Sequence, residues 1–188
     1  MNAKRVFDIV FALAGLFLFA VPILMIAILV KLTSEGPVLY WSDRVGRNNR
    51  IFRMPKFRTM QMETHAVATH LLDDPDRHVT PAGRFLRKSS LDELPQLFSI
   101  LKGDMSLVGP RPALFNQDDL VALRTQNGVY ALMPGLTGWA QINGRDDLPI
   151  QIKVDFDEHY MKHCSLLFDV KILCLTLFRV LRGDGVRH

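Results

Sequence analysis

Hydrophobic and polar positions divide this chain into an apolar opening, a mixed middle and an apolar close. From Ile9 to Val30 no residue is charged. As a helix rising 1.5 Å per residue, that run of about 22 residues measures about 33 Å, enough to match the hydrocarbon of a bilayer. It is too long for a signal-peptide core and has no small-residue cleavage site near Lys31, so it reads as a retained membrane segment. Pro22 interrupts it. A proline inside a helix removes one backbone hydrogen bond and clashes with the preceding turn, which predicts a kink. Lys4 and Arg5 precede the run, and Lys31, Arg44, Arg47, Arg50, Arg53, Lys56 and Arg58 follow it. That bias gives the downstream side the stronger claim to the cytoplasm. Two geometries satisfy it: a spanning helix with its N-terminus outside, or a helix that bends at Pro22 and re-enters the cytoplasmic face.

Beyond the run, Gly36-Pro37 stops the helix. Val38 to Trp41 and Ile51 to Phe57, separated by Gly46, Asn48 and Asn49, read as a β-hairpin. Residues 61–80 are polar and irregular, with Asp73-Asp74-Pro75-Asp76 as a solvated turn or, alternatively, a metal-binding aspartate cluster. Helices are predicted over Pro81 to Lys88, Leu91 to Lys102 and Asn116 to Thr125. The run Leu166 to Leu181 is apolar around most of its circumference, with Lys171, Arg179 and Arg182 on one side. It suits a helix lying in a membrane interface, or a buried core helix. The fold class is thus α+β, mainly helical with a small hairpin. Residues 1–35 form the membrane-embedded part and residues 36–188 a cytoplasmic domain with interfacial helices.

Composition narrows the partners. The 188 residues are 48% hydrophobic with net charge +4, and the pI is near 9.3. A basic chain of this kind suits an anionic bilayer or a phosphorylated substrate, and no nucleic-acid module is recognisable in it. Cys164 and Cys174 form no CxxC pattern and fit free thiols in a reducing compartment. His159 and His163 are spaced for zinc on a helix but lack a third ligand at helpful spacing, so they read as a solvated or interfacial face.

Candidate chemistry concentrates in Ser89 to Pro112, SSLDELPQLFSILKGDMSLVGPRP. Asp92 and Glu93 follow Arg84, Arg87 and Lys88, and Arg111 comes later between Pro110 and Pro112. A carboxylate can attack phosphorus or hold Mg²⁺, while cations neutralise phosphoryl oxygens. The bland alternative is a capping box in which Glu93 returns a hydrogen bond to the Ser90 backbone ahead of an apolar helix. Pro95 disturbs that helix just past its first turn, so the segment bearing the pair is predicted to bend. A second patch, PGLTGWAQINGR from Pro134 to Arg145, has the glycines and polar ends of a phosphate or nucleotide loop, or of a plain surface loop.

Through KRVFDI, GPVLYWSDRVGRNNRIFRMPKFRTM, GRFLRKSSLDELPQLFSILKGDMSLVGPRP, PGLTGWAQINGR and FDVKI, the chain resembles the monotopic phosphoglycosyl transferases, or bacterial sugar transferases, over nearly its whole length. The SLDELPQL and GDMSLVGPRP blocks at this spacing are far more specific than a capping box. The resemblance is to the small, single-domain form. It implies transfer of a sugar-1-phosphate from a UDP-sugar to polyprenyl phosphate, usually undecaprenyl phosphate, with release of UMP. The place implied is the cytoplasmic face of the bacterial inner membrane, at the first membrane step of glycan assembly.

Carried onto matching positions, Asp92 becomes the nucleophile of a covalent phosphosugar intermediate and a ligand of Mg²⁺. Glu93 assists as a base or by positioning the acceptor. Arg87, Lys88, Arg111 and Arg145 become phosphate clamps, Lys56 and Arg58 guides for the lipid head, and Gln141 and Asn143 members of the nucleotide and sugar loop. The resemblance also favours a re-entrant anchor bent at Pro22. There the family often has Ser-Pro and this chain has Val21-Pro22, so no hydroxyl supports a carbonyl freed by the kink. The rival readings are a non-catalytic module binding anionic lipid through Arg44 to Arg58, and a membrane-bound Mg²⁺ phosphohydrolase. A homodimer is left open.

Overall fold

The computed structural model describes residues 3–61, 78–144 and 148–182. The chain opens with two helices, α1 (Ala3–Leu18) and α2 (Ala20–Thr33), bent by 62° at their junction. The break falls at Phe19, and Pro22 lies in the first turn of α2. Pro22 cannot donate to the residue four before it, Leu18, and its ring crowds that carbonyl, so α1 ends there. Flanking bonds persist, from the Phe19 amide to Gly15 O at 2.9 Å and from the Ile23 amide to Phe19 O at 2.8 Å. Among the described residues no single helix is long and apolar enough to cross a membrane, and the bent pair passes that test only together.

The hairpin forms as β1 (Leu39–Val45) and β2 (Ile51–Phe57), antiparallel, with Leu39 opposite Phe57 and Val45 opposite Ile51. The first strand runs four residues beyond its predicted end at Trp41. Asp43 faces Arg53 across the pair on an exposed surface, and opposite charges there support pairing rather than end it. Asn48 and Asn49 turn the chain with φ of 57° and 58°, a conformation asparagine tolerates better than most residues. Pro55 is accommodated because β2 is an edge strand in the order β2-β1-β4.

Downstream come α3 (Pro81–Ser89), a single 3₁₀ turn at Leu91–Glu93, α4 (Gln96–Lys102), β3 (Ser106–Val108), β4 (Ala113–Leu114) and α5 (Asp118–Gln126). Then follow β5 (Gly135–Thr137), α6 (Trp139–Asn143), α7 (Ile150–His163) and α8 (Leu166–Arg182). β4 extends the hairpin beside β1, and β3 pairs in parallel with β5. The architecture is mainly helical α+β with two small sheets. The helix predicted over Leu91 to Lys102 is broken at Leu94-Pro95, where a disturbance is expected, because Pro95 has no amide hydrogen for the Leu91 carbonyl. That carbonyl instead receives the Leu94 amide at 3.3 Å, closing a 3₁₀ turn.

The principal core gathers Ala12, Met54, Leu97, Ile100, Met105, Leu107, Val108, Ile142, Tyr160 and Ile172. It therefore includes α1 together with α4, α7 and α8. Gly15 sets that approach, since a Cβ there stands 3.3 Å from Leu97 Cδ1. A second cluster, Ile26, Val30, Phe57 and Leu86, fastens α2 to β2 and α3. Polar ties reinforce α1. Asp8 accepts from Ser106 Oγ and the Leu107 amide, both at 3.0 Å, and Arg5 donates to the carbonyls of Ile100 and Leu101 at the end of α4. Lys4 reaches Asp169 at 2.6 Å and the Val108 carbonyl at 3.1 Å. The two leading cations, read from sequence as flanks of a membrane run, are internal ties.

The opposite faces of α1 and α2 are bare: Phe17, Leu18, Val21, Leu24, Met25 and Leu32 are all exposed. On α8 one face is buried through Asp169 and Ile172 while Leu167, Leu177 and Phe178 are exposed. The core-helix reading describes its covered face, and the other face is apolar and exposed.

Candidate active site

Three segments meet at the carboxylates. α3 ends on Ser90, which takes the left-handed conformation (φ 57°, ψ 16°) and donates its amide to Arg87 O. Ser90 makes no side-chain cap, and the Glu93 carboxylate turns away to other partners. The capping box is therefore not formed. The tight turn instead presents Asp92 and Glu93 together, facing β2 on one side and the Pro110-Arg111-Pro112 loop on the other. Lys56 of β2 places Nζ 2.7 Å from Glu93 Oε1 and 3.9 Å from Asp92 Oδ2. Arg111 brings Nη2 to 3.1 Å from the same Glu93 oxygen.

This geometry separates the two carboxyls electrostatically. Burial pushes Asp92 up to about 6; Lys56, Arg111 and Arg87 counter that in part, while the Glu93 charge adds to it. Burial raises Glu93 as well, but Lys56 and Arg111, charged and hydrogen-bonded to it, hold its carboxyl well below the usual carboxylate range. Glu93 is thus a fixed anion and a poor base. Asp92 is more basic than an ordinary aspartate, and its carboxylate accepts no hydrogen bond among the described residues. Neighbouring carboxyls driven apart in this way have different chemical uses.

The chain belongs to the bacterial sugar transferase family. The family model described by that name matches residues 1–183. The sugar transferase EpsL of Bacillus subtilis is 42% identical over 190 residues, covering all of this chain and 92% of the relative. An undecaprenyl-phosphate galactose phosphotransferase of Salmonella typhimurium is 43% identical over 97% of this chain and 41% of its own length. A UDP-N-acetylgalactosamine-undecaprenyl-phosphate N-acetylgalactosaminephosphotransferase of Aeromonas hydrophila is 40% identical over 98% of this chain and 45% of its own. The chain thus spans nearly all of the first relative and less than half of the other two.

Other residues singled out in the sequence fall at varying distances from the two carboxylates. Arg87 is close enough for its charge to act on Asp92, whereas Lys88 is exposed and makes no hydrogen bond or ion pair among the described residues. Arg58 is buried and donates to the carbonyls of Ser34 and Glu35 and to Ser34 Oγ, pinning the chain after α2. It is not brought to the carboxylates.

Arg145 and the Asp73–Asp76 turn lie outside the described residues. Gln141 donates to Leu136 O at 3.1 Å, and Asn143 to Trp139 O at 2.7 Å. The glycines beside them are needed for close packing: a Cβ on Gly135 would meet Gly109 N, and one on Gly138 would meet Gly109 O, each at 2.1 Å. Their smallness lets β5 cross the Gly109 backbone just before Arg111. His159 stacks on Trp139 and His163, with ring centroids 5.7 and 4.3 Å apart.

Arg44, a cation of the lipid-binding reading, Gly135, a glycine of the Pro134 to Arg145 loop, and Arg124, not singled out in the sequence, hold the Arg111 loop. The Pro110 carbonyl accepts the Gly135 amide at 2.9 Å, the Arg111 carbonyl accepts Arg124 Nη1 at 2.8 Å, and the Pro112 carbonyl accepts Arg44 Nη1 at 3.2 Å. A cleft open to solvent lies beside this loop, bordered by Val45, Asn49, Arg111, Arg124 and Tyr130, and neither carboxylate lines it.

Among the described residues no group of three His, Cys, Asp or Glu side chains comes together. Mg²⁺ does not require one, since it commonly keeps several waters and takes one or two carboxylates together with substrate phosphates. Asp92, without a hydrogen bond of its own, fits as that carboxylate.

Proposed function

We propose that this protein moves a sugar-1-phosphate from a UDP-sugar to a polyprenyl phosphate, of the undecaprenyl type named in its relatives, and releases UMP. The observation that carries the reading is the division of labour between Asp92 and Glu93 under Lys56 and Arg111. In the first step an Asp92 oxygen attacks the β-phosphorus of the donor. The bond from that phosphorus to the bridging oxygen breaks, and its electron pair leaves with UMP. Asp92 then carries the phosphosugar as a mixed anhydride. In the second step an oxygen of the lipid phosphate attacks the same phosphorus and the Asp92 carboxylate is released, giving a polyprenyl diphosphate sugar.

Glu93 acts by position rather than as a base. Its fixed negative charge holds Lys56 and Arg111 where phosphoryl oxygens gain charge, so these cations need not reorganise in the transition state. Lys56 therefore serves phosphate at the centre of the site, and Arg87 adds to the same field. Asp92 would hold Mg²⁺ in part, and the ion when bound would supply further charge neutralisation to the diphosphate and to UMP as it leaves.

The bare apolar faces of α1 and α2 belong in bilayer hydrocarbon, since surfaces of that extent are costly in water. With α1 and α2 both packed against the globular part, the pair enters and leaves by one leaflet. That re-entrant anchor keeps the carboxylates near the height of a lipid phosphate at the cytoplasmic face. Relatives named for galactose and for N-acetylgalactosamine are 43% and 40% identical, so both UDP-sugars belong in a donor panel.

The deciding experiment measures UMP release by detergent-solubilised protein from a panel of UDP-sugars with Mg²⁺, with and without undecaprenyl phosphate. Lipid-dependent UMP from one donor is the expected result, and chelation of Mg²⁺ abolishes it. UMP formed without lipid marks a hydrolase, and no UMP from any donor marks a binding module.

A further inference from the structure

The tripeptide Pro110-Arg111-Pro112 has three carbonyls but only one amide hydrogen, because proline has none. Such a segment cannot be held by an ordinary ladder. Its carbonyls are instead taken one by one by β5, α5 and β1, through Gly135, Arg124 and Arg44. Arg124 differs from the other two. Its side chain is 10% exposed, and Nε and Nη2 both bind Oδ2 of Asp157 on α7, at 3.0 and 2.6 Å.

A planar guanidinium held on one edge by a buried carboxylate has little freedom left, so its remaining nitrogen is aimed. It is aimed at the carbonyl of the residue whose own guanidinium meets Glu93. We propose that Arg124, fixed by Asp157, is a positioning residue for Arg111, setting where the Arg111 guanidinium stands beside the carboxylate pair. Arg124 touches neither carboxylate. It acts through a backbone carbonyl, on a loop whose prolines transmit the position of the main chain rigidly to the side chain between them.

The inference builds on the transferase reading for its catalytic consequence but not for its geometry, and the test separates the two. Arg124→Lys keeps a cation for Asp157 while giving up the fork that reaches the carbonyl. It is made in the full chain, alone and with Arg111→Ala, and thermal unfolding is recorded for each protein. NMR of the Arg111 guanidinium protons reads the contact directly, and kcat/KM for lipid-dependent UMP release reads its consequence.

The expected result for Arg124→Lys is faster exchange of the Arg111 guanidinium protons. A fall of about ten- to a hundredfold in kcat/KM accompanies it, and it disappears in the Arg111→Ala background. Unchanged exchange overturns the proposal whatever the activity does. An equal fall in both backgrounds overturns it too, since a merely structural role costs the same with or without Arg111. If the parent protein releases no UMP, the transferase reading fails while the exchange arm still decides the positioning. Should Arg124→Lys lose its fold, Asp157→Asn, which frees Arg124 from its charged partner, is read in the same way.

Discussion

Pro22 and Pro95 each break a helix, and the two breaks serve opposite ends. At Pro22 the chain bends by 62° between two apolar helices that bury one face in the protein and leave the other bare. At Pro95 it tightens into a 3₁₀ turn that brings two carboxylates against Lys56 and Arg111. The local cause is the same, a missing amide hydrogen and a ring in the preceding turn. What differs is the surroundings. The first break is bridged by packing on both arms and by Lys4, Arg5 and Asp8, so the bend has support that does not involve proline. The second sits where burial and neighbouring charges act, so the same backbone defect becomes an electrostatic device.

The largest expected effect isolates the second break. Asp92→Asn lowers UMP release by at least about 10³-fold while leaving flotation with lipid vesicles unchanged, as the proposed anchor and the proposed nucleophile belong to different breaks. Substantial transfer by this variant removes Asp92 from the nucleophile's role. The same substitution also makes the fold more stable. Burial raises the Asp92 carboxyl from 3.8 to about 6, so the parent protein bears the cost of an ionised buried carboxyl above pH 6. In metal-free buffer at pH 8, Asp92→Asn is more stable by up to about 3 kcal/mol. The advantage shrinks as pH falls through 6 and is gone below pH 4, where Asp92 is neutral too; chemical denaturation across that range checks it.

Glu93→Gln has a smaller effect on rate, about 10²-fold, and a diagnostic one on pH dependence. Removing the Glu93 charge favours ionised Asp92 and frees Lys56 and Arg111 to face it, so the acid limb of kcat/KM moves below pH 6. An acid limb that stays in place or rises disproves the electrostatic coupling of the pair. The smallest effect is expected at the first break. Pro22→Ala restores a helical hydrogen bond but leaves Lys4, Arg5 and Asp8 attached to the core, so a cysteine placed at residue 2 stays on the side of the catalytic domain in labelling of sealed vesicles. Transfer of that label to the opposite side on Pro22→Ala alone makes proline the dominant cause of the bend.

Much of this was legible along the chain because it depends on neighbours in sequence. The uncharged run with Pro22, the hairpin around Asn48 and Asn49, and the carboxylates ahead of Pro95 are local patterns. Lys56 was read as a guide for a lipid head and stands within the carboxylate site. Arg58, two residues on, was given the same role and is buried against Ser34 and Glu35. Residues two apart in a strand share a face, but β2 ends at Phe57, so Arg58 has left the alternation that aims Lys56 and turns to Ser34, and nothing local marks that end.

The sequence by itself determined the hairpin, the breaks at Pro22 and Pro95 and the placing of Asp92 beside Glu93 in the turn ahead of Pro95, because backbone sterics are short-range. Only the tertiary structure decided which cations serve that pair and what supports it. Lys56 lies 37 residues from Glu93, Arg111 lies 18 away, and Arg124 reaches Asp157 across 33. Electrostatics and hydrogen bonding depend on distance in space, and folding sets that distance independently of separation along the chain.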